Sequence, residues 1–188
     1  MHHPFLSVSR CDKIDLTDID TEKSSERKIF VPRRDEMKYL AVILGIFGLE
    51  LGIKQHVEKR GSEGETKEVC HGLLLLRKHH NKGAFLNAGQ SRQSWIMLLS
   101  LLLTLGATAV FISTLSMAGK DTLKWGLTLL LGGAYSNTYD RLVRKYVVDY
   151  VSFNVPFEGL RKVIFNIGDF CIMIGALLSV LGYWKKMY

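Results

Sequence analysis

The sequence predicts an all-α membrane protein with four transmembrane helices and a small β-like segment between the first two. Three observations carry that prediction. Residues 93–119 contain no charged side chain across 27 positions, whereas most charges fall in 1–38 and 54–82. Four apolar runs are separated by polar stretches, a segregation that an ordinary soluble globule does not need. The chain has 188 residues, room for one domain but hardly two. Its 25 Lys and Arg against 18 Asp and Glu give a net charge of +7. An excess of that kind suits nucleic acid or an anionic membrane surface. The apolar runs favour the membrane, and no arginine-rich helix or aromatic–basic interleaving points to nucleic acid.

Residues 1–36 carry mixed charge and no apolar period, so a disordered polar tail is expected, with Met37 as a possible biological start. Tyr39 to Ile53 is the first span. Its fifteen residues cover only ~22 Å at ~1.5 Å per residue, short of a ~30 Å hydrocarbon core. Flanking Met37, Lys38 and Gln55 to Val57 bring it to length. Glu50 and Lys54 share a helix face at i, i+4, acid before base. Residues 58–92 leave the bilayer. Gly61, Ser62 and Gly64 break the helix, and Val69 to Leu76 and Gly83 to Leu86 read as apolar pieces flanking a charged turn, Arg77 to Lys82. Cys70, His71, His79 and His80 match no standard zinc spacing, and the three cysteines imply no disulfide framework. Gln93 to Met117 is the second span, Gly119 to Lys124 a polar turn, Trp125 to Tyr139 the third span and Val163 to Trp184 the fourth. Basic residues flank both ends of this bundle, so the positive-inside rule alone does not orient it.

Four spans place a set of polar residues at one bilayer level. Asn137, Asp140 and Arg141 end the third span, Asp149 follows, and Asn166 and Asp169 open the fourth. The first three share a helical face by their i, i+3, i+4 spacing, and so do Asn166 and Asp169. Glu50 and Lys54 reach the same level. Charges in or beside spans are expensive and normally mark function. Asp149 and Asp169, each flanked by apolar residues, can share one proton and work as acid and base on a water. The alternative is structural: each caps a helix or pairs with Arg141, Arg144 or Lys145. A small transporter or proton relay using the same aspartates as ion ligands is a second functional reading.

The blocks Gly132 to Arg141 (GGxxxNxxDR), Val147-Val148-Asp149-Tyr150 and Phe165-Asn166-Ile167-Gly168-Asp169 resemble, in order and spacing, the signature of lipoprotein signal peptidase (signal peptidase II). Upstream, Glu50 to Lys54 resembles that family's DQxxK, and Asn81 to Phe85 its NxGAAF. The resemblance covers residues 37–184. It implies a membrane aspartic endopeptidase that removes signal peptides from diacylglyceryl-modified prolipoproteins just before the lipidated cysteine. It implies Asp149 and Asp169 as the catalytic pair, with Asn137, Asp140, Arg141 and Asn166 shaping the site and Asn81, Glu50 and Lys54 supporting it. It further implies a bacterial plasma-membrane protein, both termini cytoplasmic, with residues 58–92 an extracytoplasmic cradle. The implied partners are the prolipoprotein and membrane lipids; a monomer that needs no metal or cofactor is expected. Three positions depart from the family pattern: Glu50 stands for aspartate, Phe85-Leu86 for Ala-Phe, and Gly168 for alanine.

Overall fold

The computed structural model describes residues 36–62, 64–83 and 92–184. Four long helices, α1 (Met37–Arg60), α2 (Gln93–Leu115), α3 (Asp121–Val143) and α5 (Ile167–Trp184), make up most of the described chain. Three short strands, β1 (Thr66–Val69), β2 (Leu74–Asn81) and β3 (Val147–Phe153), and a one-turn α4 (Glu158–Arg161) complete it. Among the described residues, α1, α2 and α5 are long and apolar enough to cross a membrane. The expected count of four therefore meets three helices that qualify by length and composition. The other, α3, has the length, 23 residues or ~34 Å. Asp121, Lys124, Asp140 and Arg141 lower its apolar character.

Helix α3 is the hub. It packs most extensively on α5, then on α1 and α2. Glycine permits the α3–α5 approach. Gly168, Gly175 and Gly182 are buried on α5, seven residues apart and so on one face. A Cβ at Gly126 on α3 would lie 2.5 Å from the Ser179 nitrogen, and one at Gly182 would lie 2.5 Å from that of Leu123. Small residues let helix backbones close in where no hydrophobic force drives them together. At the opposite end from the polar cluster, Tyr39, Ile43, Phe111, Leu115, Leu123, Leu127 and Leu131 form the apolar core.

Several boundaries differ from the sequence reading. The first helix runs on to Arg60, because Glu50 and Lys54 are satisfied internally and do not force the chain out of the bundle. The chain accordingly leaves the helix later than residue 58. The expected turn Gly119 to Lys124 is already helical from Asp121. Lys124 is buried, donating to the Leu115 carbonyl at 2.9 Å. The fourth span begins at Ile167 and not at Val163, since Phe165 is held in a bridge to Val151. The expected charged turn Arg77 to Lys82 lies largely in strand β2. The real turn is Cys70–Leu73, where Cys70, His71 and Gly72 take positive φ of 52°, 56° and 81°. Glu36, placed at the end of the expected tail, is buried 4.0 Å from Lys124. Residues 1–35, Phe85, Leu86 and 185–188 lie outside the described residues.

The strands form one antiparallel sheet in the order β1-β2-β3. The third strand was not foreseen; it comes from the segment between α3 and α5. A bulge interrupts its pairing with β2. Leu76 faces Val151, but His79 faces Asp149, so β2 carries one extra residue. Past the bulge, Asn81 lies opposite Val147 and diagonal to Asp149 on the same sheet face. Without the extra residue His80 would occupy that face and Asn81 would turn away.

Candidate active site

Glu50, Lys54, Asn81, Asn137, Asp140, Arg141, Asp149, Asn166 and Asp169, the expected site residues, belong to one polar cluster where α1, the C-terminal half of α3, β2, β3 and the start of α5 meet. Its foundation is Lys54, fully buried. An ammonium has three donors and no acceptor. Lys54 spends them on Ser136 Oγ at 3.0 Å, Asn137 Oδ1 at 2.8 Å and Asp140 Oδ2 at 3.0 Å. Glu50, its expected partner, lies 4.0 Å away. Glu50 is directed elsewhere: Oε1 accepts the Gly168 N–H at 2.7 Å and Oε2 accepts the Tyr150 hydroxyl at 2.7 Å. It ties α1 to the first turn of α5 and to β3. Asp140 does not sit beside Arg141 as a partner; side chains one residue apart on a helix diverge. Its Oδ1 pairs with Arg144 at 3.1 Å, and its Oδ2 also accepts the Val148 N–H at 3.3 Å. That bond anchors β3 at Val148, one residue before Asp149.

Asn166 precedes α5 and is not on its helical face. Its Oδ1 accepts the Asp169 N–H at 2.9 Å, and Asp169 Oδ2 accepts the Asn166 N–H at 3.0 Å. This is the reciprocal arrangement of a capping box. The helix-capping alternative is thus realised for Asp169, in the same geometry that orients its carboxylate. Asp169 Oδ1 accepts from Asn137 Nδ2 at 2.8 Å. Asp149 Oδ1 accepts from Asn166 Nδ2 at 2.7 Å, and its Oδ2 from Asn81 Nδ2 at 3.0 Å. Each of the four carboxylate oxygens therefore holds one N–H donor.

Three of those donors are asparagine amides, and their orientation is forced. The Oδ1 of Asn137 faces the Lys54 ammonium, that of Asn166 the Asp169 N–H, and that of Asn81 the Gly83 N–H at 3.0 Å. All three opposing groups can only donate, so each NH2 must point at a carboxylate. Asparagine serves as an adapter here, taking a donor from the scaffold and presenting one to the aspartates.

Asp149 and Asp169 line one cavity of about 170 Å³ together with Asn81, Arg141 and apolar Val147, Val163, Ile164, Phe165, Ile172 and Met173. Burial pushes the Asp149 carboxyl up to about 7, the Asp169 carboxylate adds to the rise, and the Asn81 and Asn166 amides oppose it. Arg141 reaches this cavity after donating to the Asn137 carbonyl and the Gly83 carbonyl, both at 3.3 Å. Chemically, the arrangement offers two adjacent carboxyl groups able to hold a proton near neutrality, a cation beside them and an apolar wall. Among the described residues no group of three or more His, Cys, Asp or Glu has metal-site geometry.

The sequence pattern described as signal peptidase (SPase) II matches residues 42–185. The chain belongs to the signal peptidase II family. Lipoprotein signal peptidases of Brucella ovis, Brucella canis and Brucella melitensis are each 32% identical over 143 residues, covering 74% of this chain and 84% of theirs. Two solved structures described as bacterial membrane enzymes, determined by the in meso method, share the fold. One has a TM-score of 0.69 at 20% identity over 80% of this chain and 89% of its own. The other has 0.63 at 21% identity over 79% and 94%. The chain is accordingly a membrane protease of the signal peptidase II type, mostly helical with a small three-stranded sheet.

Two of the departures from the family signature meet in space. A Cβ at Gly168 would lie 2.9 Å from Asn166 Oδ1 and 3.3 Å from Glu50 Oε1. Asn166 Oδ1 is the nearest obstacle to a methyl at 168, and Glu50 Oε1 crowds the same position together with the Gly133 carbonyl. The third departure, at Phe85-Leu86, lies outside the described residues. Sequence reasoning missed Tyr150 and Ser136, and it offered Arg144 as a partner for Asp149 or Asp169, whereas Arg144 pairs with Asp140. Ser136 and Asp140 are i, i+4 and could have been found by that spacing. The Tyr150 hydroxyl could not, because its target is 100 residues away.

Proposed function

We propose that this chain is an intramembrane aspartic endopeptidase that cleaves diacylglyceryl-modified prolipoproteins just before the lipidated cysteine. The observation that carries the reading is the convergence of Asp149 and Asp169 on one cavity, with all four carboxylate oxygens oriented by N–H donors. Two carboxyls at this separation from water do not both ionise easily, so one keeps a proton. The ionised aspartate takes a proton from water as that water attacks the scissile carbonyl, and the protonated one donates to the carbonyl oxygen. Collapse of the tetrahedral intermediate returns a proton to the leaving amine. Arg141, at the cavity wall, balances the charge of the pair. Asn81, Asn137 and Asn166 orient it. Glu50, Lys54 and Asp140 hold the three elements that carry it. No step draws on a metal or cofactor.

In this reading α3 is a span as well, the third of four in chain order, shielded from lipid by α1, α2 and α5. Both termini face the cytoplasm, the sheet is an extracytoplasmic cradle over the substrate, and the working domain is 37–188 in the bacterial plasma membrane, acting as a monomer. The substrate's lipid lies between helices while its peptide crosses the aspartates. The test is cleavage of a purified lipid-modified prolipoprotein by the purified chain. A cut on the amino side of the lipidated cysteine, lost on removing either aspartate, supports the reading. Full cleavage by both single aspartate variants overturns it.

A further inference from the structure

The cluster around the aspartates uses Lys54, Arg141 and Arg144 but leaves unexplained the basic residues behind the sheet. A second cavity, also about 170 Å³, opens between the last turn of α1 and the sheet. His56 and Arg60 line it from α1, Lys67 from β1, Arg77 and Lys78 from β2, and Tyr150 from β3. Side chains alternate along a strand, so Tyr150 places this cavity on the reverse face of β3 from Asp149. The β2 bulge falls at Arg77 and Lys78. It breaks strict alternation there, and both side chains reach the same cavity.

The cations are not equally committed. Lys78 pairs with the Glu58 carboxylate at 3.0 Å. Lys67 pairs at 3.3 Å with Glu65, the acidic residue of the lining. Arg77 is different: its Nε is buried and has no hydrogen-bond partner among the described residues. A buried guanidinium N–H calls for an acceptor, and a phosphate matches its fork geometry. Arg60, exposed at the mouth, supplies a second guanidinium. Its position at the end of a candidate membrane span puts the cavity at headgroup level. Val57 and Leu76 give the rim an apolar edge where a glycerol backbone would lie.

We propose that this cavity binds the phosphate of an anionic phospholipid headgroup. The lipid braces the junction of α1 and the sheet from behind the strand that carries Asp149. The site is separate from the aspartate cavity and stands or falls without it.

The test uses the full chain in nanodiscs of phosphatidylcholine alone and of phosphatidylcholine with about a third phosphatidylglycerol, read by thermal unfolding and by native mass spectrometry of retained lipid. The anionic discs should raise the midpoint and leave phosphatidylglycerol bound. Arg77→Gln should cut retention by roughly fivefold, the size of one cation–headgroup contact. Arg60→Gln, at an exposed position, should cut it too and provides the test if the first variant folds poorly. Lys59→Gln removes an exposed charge of the same helix turn outside the cavity and should change little. Unchanged retention in both arginine variants overturns the proposal, as does an equal loss with Lys59→Gln. Inorganic phosphate added to neutral discs separates the sources. A full, Arg77-dependent shift from phosphate alone keeps the anion site and overturns the lipid as its ligand.

Discussion

Helices α2 and α3 have the same length, 23 residues each, and opposite characters. Helix α2 carries no charge and buries Thr104, Phe111, Thr114 and Leu115; Leu99, Leu102 and Leu103 stand more than half exposed. Helix α3 carries charges near both ends and buries twelve residues, among them Ser136, Asn137, Thr138 and Asp140. In water the polar helix would be the surface one. In a bilayer the surface must be apolar, and polar groups gather where other polar groups satisfy them. Hydropathy therefore finds most easily the helix that contributes least to the site, and scores lowest the helix on which the site is built.

The strongest way to break that contrast is at the aspartates that α3 helps to orient. Asp149→Asn and Asp169→Asn should each remove nearly all prolipoprotein cleavage while the protein still inserts. The double variant should be little worse than either single one, because residues that act as a unit are not additive. Substantial turnover by one single variant would mean the pair does not work as a unit. The same pair sets the pH response. One carboxyl must be ionised and one protonated, and Asp149 is raised to about 7 by burial and by the Asp169 charge. The rate should fall as pH rises through about 7 and that proton is lost. It should fall again in acid as the second carboxylate is protonated, giving a bell whose limits belong to the pair. A rate still climbing well above neutrality contradicts the assignment.

Next in size is the buried ion pair between α1 and α3. Lys54→Met leaves Asp140 with Arg144 as its one paired cation among the described residues and strips Asn137 of the donor that sets its amide. Breaking a buried pair by removing one partner costs ~3–5 kcal/mol, so thermal unfolding in detergent should show a large loss. Asp140→Asn should likewise act mainly on stability and yield. A charge-to-neutral change that left the unfolding midpoint unmoved would show the α1–α3 junction to be hydrated.

A smaller effect sharpens the comparison within the site. Gly168→Ala should destabilise by about 1–3 kcal/mol through overpacking against Asn166 and Glu50. Combining it with Glu50→Asp should recover part of that loss, since residues in contact couple by ~0.5–3 kcal/mol. Strict additivity of the two would mean they do not share the space the geometry assigns them.

The smallest effects belong to α2. Thr104 and Thr138 share a hydrogen bond of 2.9 Å between α2 and α3. Thr104→Val should cost about 0.6 kcal/mol, typical of such bonds in membranes. Its neighbour Leu103 is 65% exposed, and Leu103→Ala should stay within about 0.5 kcal/mol. A larger cost at Leu103 than at Thr104 would mean that α2 packs on something other than lipid.

The sequence alone determined a good part of this protein. Apolar runs located the long helices, because a helix that meets lipid must be apolar over its length whatever it packs against. Motif order identified the family, and counting spans put Glu50, Lys54, Asn137, Asp140, Arg141, Asp149, Asn166 and Asp169 at one level. Tertiary structure alone decided the partners. Lys54 chose Asp140 over Glu50, its neighbour on the helix, and Glu50 chose Gly168 and Tyr150. Asn81 faces Asp149 only because β2 carries a bulge. Asp149 lies on a strand that no local pattern announced, since its four-residue block is apolar around one acid and equally consistent with a helix end. The physical reason is range. Helix period and hydropathy are properties of neighbouring residues, whereas the bonds that tie Glu50 and Lys54 of α1 to α3, β3 and α5 join positions from 82 to 118 apart. Which of several equivalent donors and acceptors meet is settled only when the helices close to packing distance.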